Sequence, residues 1–499
     1  MITTKLIIQD EVNVKFEGLD IVTRRKLVNS VQYFLEYARH TPAYKLGRWD
    51  GMLNFCDIGG RSYLNLLDKL LPVVQEQGYE VEIEDLRDTS HDFVFDEVVE
   101  DSYSHIQWPV GHQFVGDPIV LQDHQVEVIN SYLNNLTGVN IAPTGSGKTL
   151  VTAILSHKVE PYGRSIVIVP TKDLVTQTED DYKNLGLDVG VFFGDRKEYL
   201  KTHTICTWQS LESLAKRSKE IDLEIDINDF FEGVVCVIVD EVHKAKADVL
   251  RRLLSSYLKN APVRWGLTGT MPEEEHEKVS VMACIGPMLG RIETKELQDK
   301  GLLAQLHVNV WQLVDQDPVD QIAATLRGDK FDDYQSELKW LTTNPTRLKY
   351  LAKQVVEISE SGNTLILVDR IETGEKLQAL IPNSVFVSGK MKSKKRKDEY
   401  KEVQEVDGKV IIATYGVAST GINIVRIFNL VLFEAGKSFV RVIQSIGRGI
   451  RVAPDKDFVN VYDVCSNCKF SKRHLAKRKK FYTEAQYPYT ISKVNYHDN

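Results

Sequence analysis

With 499 residues, 42 % hydrophobic and 26 % charged, the chain is ordinary globular material, long enough for about three domains, which excludes a fibre or a disordered tail. No apolar run approaches the roughly 20 residues a bilayer span needs and no signal-peptide pattern opens the chain, so a soluble, cytoplasmic protein is expected, with no membrane partner. The net charge of −8 excludes a protein that coats nucleic acid through its overall field and confines any such contact to local patches.

The strand-like runs LIIQ and VNVKF precede LVNSVQYFLEYARH, whose apolar residues recur at three- and four-residue spacing and predict a helix. In GRWDG, Trp49 is expected to pack on the core while Asp50 and the glycine after it supply a hairpin turn. A helical run near LLDKLLPVVQEQ and the strand YEVEIED complete a small α/β unit, and the acidic stretch from Glu97 to Ser104 reads as a linker.

From about residue 115 the pattern changes. The β-rich runs VNIAP, SIVIVP, THTICTW, VVCVIVDE and RWGLTGT alternate with helical stretches, and TLILVD, SVFVSG, KVIIATY, NLVLFE and FVNVYDV repeat the alternation after about residue 305. Such alternation predicts two tandem α/β lobes of parallel strands with crossover helices. Cys206 and Cys236 fall inside these apolar runs, which fits a reducing compartment.

The run VNIAPTGSGKTL takes a strand into a glycine-rich turn and then into a helix starting near Lys148. Pro143, Thr144, Gly145, Ser146 and Gly147 would wrap backbone N–H groups around phosphates. Lys148 would neutralise the β and γ phosphates of ATP, and the Thr149 hydroxyl would ligate Mg²⁺. Ala142 stands where the usual pattern has its first glycine.

About a hundred residues on, VVCVIVDEVHKA delivers Asp240 and Glu241 at the C-terminal end of an apolar strand, the edge at which open parallel sheets bind ligands. Asp240 would hold Mg²⁺ through water, Glu241 would orient or deprotonate the attacking water, and His243 would couple hydrolysis to motion.

APTGSGKT, VPTKDLVTQ, CTWQSL, DEVH and LTGT follow the order of motifs I, Ia, Ic, II and III of the superfamily 2 helicases, and the chain resembles that family. The resemblance implies two RecA-like lobes, use of ATP with Mg²⁺, and coupling roles for Thr268 and Thr270. IVLQDHQ resembles the family's adenine-reading Q motif and makes Gln125 the residue that bonds the base, although Gln122 and His124 stand where relatives often carry Arg and Tyr.

VIIATYGVASTGINI resembles motif V, with Gly421 on the nucleotide, and VRVIQSIGRGIRVAPDKD resembles motif VI. Gln444, Arg448 and Arg451 lie three or four residues apart, so a helix would present them on one face toward the γ-phosphate, with both arginines as fingers. By the same resemblance Thr171, Lys172, Thr207 and Gln209 in the first lobe, and Arg370, Ser388, Gly389 and Thr414 in the second, track a nucleic-acid backbone. Such contacts are sequence-independent and salt-sensitive.

Two basic runs, 390 to 397 and 472 to 480, are either solvated faces or further contacts to DNA. Cys465 and Cys468 have metal-ligand spacing, but no second pair follows, and no metal is expected there.

YKLGRWDGMLNFCD followed by YLNLLDKLLPVVQEQGYEVEI resembles the N-terminal domain of the UvsW family of bacteriophage helicases, which extends the likeness over nearly the whole chain. It implies an ATP-dependent DNA helicase, monomeric, that acts on forks, Holliday junctions and R-loops in recombination, repair and replication, beside single-strand-binding or recombination proteins. The layout expected is a DNA-binding domain over 1–100 and lobes over 101–300 and 301–499. A duplex translocase without strand separation, an RNA or RNA–DNA hybrid helicase and a nucleotide-gated clamp are the competing readings; the intact Glu241, Arg448 and Arg451 weigh against the clamp.

Overall fold

The structure is a computed structural model that describes residues 2–88, 92–109, 114–217, 225–242, 247–272, 274–315, 330–389, 391, 406–417, 426–436 and 455–497. The chain divides into two compact units, Met1–Ala142 with Gly147–Arg291, and Pro143–Ser146 with Ile292–Asn499.

The first unit opens with strands β1 (Ile2–Ile8), β2 (Asn13–Glu17), β3 (Gln32–Phe34), β4 (Met52–Asn54), β5 (Arg61–Tyr63) and β6 (Tyr79–Asp85). Four of them form a sheet in the order β5-β2-β1-β6, in which Leu6, Ile8, Val14 and Phe16 alternate inward to a common core. The helix expected over LVNSVQYFLEYARH is corrected: it runs over Ile21–Ser30, started by Asp20 accepting from the Val22 and Thr23 amides. Residues 32–34 pair instead with β4, Phe34 opposite Met52, and Glu36–His40 is a 3-10 turn.

The cause is the Trp-Asp-Gly turn. Gly51 has φ +80°, and a Cβ there would sit 2.6 Å from the Phe34 ring, so only glycine lets β4 fold back on β3. Asp50 Oδ1 accepts the Met52 amide at 2.9 Å, and Trp49 Nε1 donates to the Met52 carbonyl at 3.2 Å. Trp49 is half-buried and packs on Tyr37, ring centroids 6.2 Å apart, so it closes the hairpin rather than filling the core.

The same unit continues with β7 (Thr137–Ile141), β8 (Arg164–Val169), β9 (Val189–Phe193), β10 (Arg196–Lys197), β11 (His203–Thr207), β12 (Val234–Asp240), β13 (Val263–Thr268) and β14 (Met288–Arg291). They form one sheet in the order β10-β9-β11-β8-β12-β13-β7-β14, parallel except for the β9–β10 hairpin. Central strands such as β12 are buried on both faces, which is why they read as unbroken apolar runs. The N-terminal sheet is seated on this one: the Glu11 amide donates to Lys259 O at 3.0 Å and Asn13 Nδ2 to Ser255 O at 2.9 Å, and both contribute to one hydrophobic core.

The second unit carries β15 (Gln305–Leu313), β16 (Thr364–Val368), β17 (Ser384–Val387), β18 (Val410–Thr414), β19 (Asn429–Phe433), β20 (Phe458–Ser466) and β21 (Tyr489–Val494), all parallel, in the order β17-β18-β16-β19-β20-β15-β21. Its core holds a buried charge web. Arg347 Nη2 donates to Glu434 Oε1 at 2.6 Å and Nη1 to Leu341 O at 2.7 Å, while Ser471 Oγ donates to Glu434 Oε2 at 2.7 Å.

The α/β class and the parallel sheets agree with the sequence reading. In these two sheets β9, β10, β14, β15 and β21 were not anticipated: β10, β14 and β21 are sheet edges that are short or polar, β9 is broken by Gly190, and β15 alternates buried with half-buried residues instead of forming an apolar run. Among the described residues no helix is long and apolar enough to cross a membrane.

Candidate functional site

The glycine-rich turn follows β7, and the helix after it runs over Lys148–Val159, as the spacing predicts. Gly145 has φ +91°, and Gly147, the helix N-cap, has φ +82°. Gln125, on the helix Asp123–Leu133, is buried with its amide against this turn: a Cβ on Gly147 would lie 2.1 Å from Gln125 Nε2. Gln125 Oε1 accepts the Gln122 amide at 3.0 Å, which fixes the side chain from behind. Gly147 therefore answers both to its backbone angle and to this close approach.

Three strand ends meet beside it. The Ala142 amide donates to Thr268 O at 2.8 Å, tying the end of β7 to that of β13. Lys148 Nζ donates to Ala142 O at 3.1 Å and lies 3.8 Å from Glu241 Oε1, both side chains being nearly buried. Asp240 ends β12, and its Oδ1 accepts the Glu241 amide at 2.9 Å. Glu241 takes φ +52°, a left-handed conformation unfavourable for a residue with a Cβ, and its Oε2 accepts the Gly269 amide at 3.3 Å. Thr268 Oγ1 donates to Thr270 O at 2.7 Å, while the buried Thr270 Oγ1 finds no partner among the described residues. An ammonium, two carboxylates and the positive end of a helix dipole can together bind a polyphosphate and orient a water toward it.

A cavity of about 710 Å³ opens in the same unit beyond the C-terminal ends of β8 and β11. Thr171, Lys172, Thr207 and Gln209 all line it, so four residues named from two separate motifs come together. Thr171 caps the helix Lys172–Asn184 and Thr207 Oγ1 accepts the Ser210 amide at 3.3 Å, which holds both hydroxyls at the rim. Lys197 and Arg217 add positive charge, with Lys197 Nζ 4.3 Å from the centre of the Phe192 ring. Sequence reasoning missed these two cations, and the only signal for Lys197 was the aromatic-basic run FFGDRKEY.

In the second unit Arg370, Ser388, Gly389 and Thr414 gather at the C-terminal ends of three adjacent strands, with Val368 opposite Thr414 and Val387 opposite Ala413. Arg370 donates to Gln335 Oε1 at 2.7 Å. His243, Gly421, Gln444, Arg448 and Arg451 lie outside the described residues, as does the basic run at 390–397 apart from Met391. Cys465 and Cys468 are buried thiols, and burial pushes Cys468 up to about 11.

Residues 118–273 match the family "Type III restriction enzyme, res subunit" and residues 346–453 the family "Helicase conserved C-terminal domain". With a glycine-rich turn at the C-terminal end of β7 and a second parallel sheet later in the chain, these matches indicate the class: an ATP-dependent enzyme of the superfamily 2 helicase type. Within that class it is similar to the ATP-dependent DNA helicase uvsW of Enterobacteria phage T4, 24 % identical over 462 residues that cover 89 % of this chain and 87 % of that protein. The DNA 3'-5' helicase XPB of Mycobacterium tuberculosis is 24 % identical over 390 residues, 74 % of this chain and 65 % of that one. Among solved structures, T4 UvsW covers 99 % of this chain and 100 % of its own at 19 % identity and a TM-score of 0.46. The ATP-dependent Type ISP restriction-modification enzyme LlaBIII bound to DNA aligns over 95 % of this chain and 39 % of its own, with 14 % identity and a TM-score of 0.56, a likeness of fold.

Proposed function

We propose that the chain is an ATP-dependent DNA helicase or translocase that remodels branched DNA, regressing forks, migrating Holliday junctions and unwinding R-loops in recombination, repair and replication. One observation supports the reading: the candidate nucleotide residues and a basic cavity lie at the same end of a single sheet. The ends of β7, β12 and β13 bear Lys148, Asp240, Glu241 and Thr268, and the neighbouring ends of β8 and β11 bear the basic cavity.

In this reading Gln125 selects adenine, Lys148 and the amides after Gly145 and Gly147 hold the phosphates, and Glu241 orients the attacking water. The hydroxyl of Thr149 and the carboxylate of Asp240 are hard oxygen donors of the kind Mg²⁺ takes together with substrate phosphates, and they would hold it. That ion supplies charge neutralisation at the phosphates. Thr268 and Thr270 relay the state of the strand end beneath Glu241, and Gln444, Arg448 and Arg451 add positive charge as the terminal phosphate leaves. Thr171, Lys172, Thr207 and Gln209, with Arg370, Ser388, Gly389 and Thr414, track the DNA backbone, and residues 1–100 add a DNA-engaging domain ahead of the lobes at 101–300 and 301–499. The similarity to uvsW and XPB supports DNA as the substrate.

The test is ATP hydrolysis and strand separation measured side by side on a fork, a four-way junction, a plain duplex and an RNA–DNA hybrid. Fork and junction should stimulate most. Hydrolysis without separation on plain duplex would make it a translocase, preference for the hybrid would make it an R-loop enzyme, and stimulation by none would end the reading.

A further inference from the structure

The basic run at 472–480 lies on the helix Lys469–Glu484, and the structure sorts its charges into two kinds. Arg478 is buried, its Nε and Nη2 each donating to the Asp463 carboxylate at 2.9 Å and its Nη1 to Gly436 O at 2.7 Å. Tyr482 adds a third bond to Asp463 at 2.9 Å. At the other end Glu337 accepts the Phe470 and Ser471 amides at 3.0 and 2.8 Å, so a carboxylate caps the N-terminus. The helix is thus pinned along one side.

The opposite side carries Lys469, Lys472, Arg473, Lys477 and Lys480, all exposed. Arg478 is ion-paired with Asp463 on the pinned side, while Lys469 Nζ and the Arg473 guanidinium lie 5.3 and 5.6 Å from the centre of the Phe470 ring. Spacings of three and four place the five on one face, where like charges repel and weaken a helix. A fold that only needed a solvated face would gain by mixing the signs. The cost is relieved by a polyanion.

The position of this face is informative. Tyr334, on the helix Lys330–Thr343, stands edge-on to Phe470 and His474, with ring centroids 5.7 and 5.2 Å away. The next residue, Gln335, accepts the bond from Arg370, already assigned to the DNA backbone. The basic face therefore begins one helix away from that contact within the same unit. Lys469 to Lys480 spans roughly 16 Å at about 1.5 Å per residue, the axial length of about five successive phosphates on one strand at about 3.4 Å each.

We propose that the exposed face of the helix Lys469–Glu484 is a second phosphate-binding site, engaging the backbone of duplex DNA beyond Arg370. It rests on the helicase reading and extends it. The contact is electrostatic and blind to sequence, and it gives a protein of net charge −8 a local grip on a polyanion.

The test uses the full chain with Lys472→Glu, Arg473→Glu and Lys477→Glu combined, a fluorescent plain duplex as probe, and a salt titration of affinity. Lys349→Glu with Lys353→Glu, exposed on another helix of the same unit, serves as the charge control. The triple variant should bind about 10- to 100-fold more weakly at low salt, and its slope of log affinity against log salt should fall by about 2 to 3, close to 0.9 per lost phosphate contact. ATP hydrolysis without nucleic acid should be unchanged, and Lys477→Gln with Lys480→Gln should show a smaller loss with folding intact. Affinity and slope within twofold of the unmodified chain in both variants, or an equal loss in the control, would overturn the proposal; the first outcome would leave an acidic protein surface as occupant. If the unmodified chain binds no duplex at all, the helicase reading itself fails instead.

Discussion

Lys148 and Glu241, 93 residues apart in the chain, meet with Nζ 3.8 Å from Oε1 at the ends of β7 and β12. In the proposed function the pair joins the group that would grip a phosphate to the group that would handle water. Glu241→Gln keeps the shape and the bond from Gly269 but removes the charge. It should bind ATP and lose at least about 100-fold in kcat, the usual size of a general-base contribution. Lys148→Ala should lose nucleotide binding itself. Steady-state hydrolysis together with a nucleotide-binding titration separates the two, and full turnover in Glu241→Gln would remove Glu241 from its role. Arg451→Ala should resemble Glu241→Gln, with ATP held and not hydrolysed.

Gly147→Ala forces a Cβ into Gln125 Nε2 and into a left-handed backbone that costs about 1–2 kcal/mol for other residues. Nucleotide affinity should collapse, although the helix behind the turn keeps its packing and melting should change little. Gln125→Ala relieves the same contact and should keep phosphate binding. Its preference for ATP over GTP should shrink by about tenfold, one hydrogen bond's worth. An unchanged ratio of the two kcat/KM values would take adenine reading away from Gln125.

Asp181 gives a pH signature. Burial, with Asp180 beside it, pushes its carboxyl up to about 7. The folded chain then holds a proton there that the unfolded chain releases near pH 4, so folding binds protons between about pH 4 and 7 and stability falls as pH rises through that window. Asp181→Asn abolishes this slope. It should stabilise the protein by on the order of 2 kcal/mol at pH 8, about half the full linkage, since the carboxyl keeps some contact with solvent. Denaturant melts at pH 5 and pH 8 check it, and equal slopes for the two proteins would contradict the assignment.

Arg347 is completely buried, bonded to Glu434 and 3.6 Å from Asp315. Arg347→Met leaves the buried Glu434 and Asp315 carboxylates without their cation, a defect that costs about 3–5 kcal/mol. The melting temperature should fall by several degrees, and the effect belongs to the second unit's core rather than to ATP. A variant with normal melting and normal hydrolysis would show that the web reorganises without it.

The sequence by itself determined the phosphate turn, the acidic strand end and the two rounds of strand and helix, because each is a local pattern: apolar runs for strands buried on both faces, glycines where φ is positive, and a lysine at the helix start. It also named Thr171, Lys172, Thr207 and Gln209, but only through resemblance, since nothing local marks a threonine as a backbone contact. Only the tertiary structure decided that these four share one cavity, that Lys197 and Arg217 join them, and that Gln125 presses on Gly147. It alone ended the first helix at Ser30, where pairing with residues twenty positions later outweighed a three-four periodicity. It also divided one basic run into a buried Arg478 and an exposed cationic face. Side-chain partners across long separations depend on how strands are ordered in the sheet, and that order is fixed by packing of the whole core, which no window of the sequence contains.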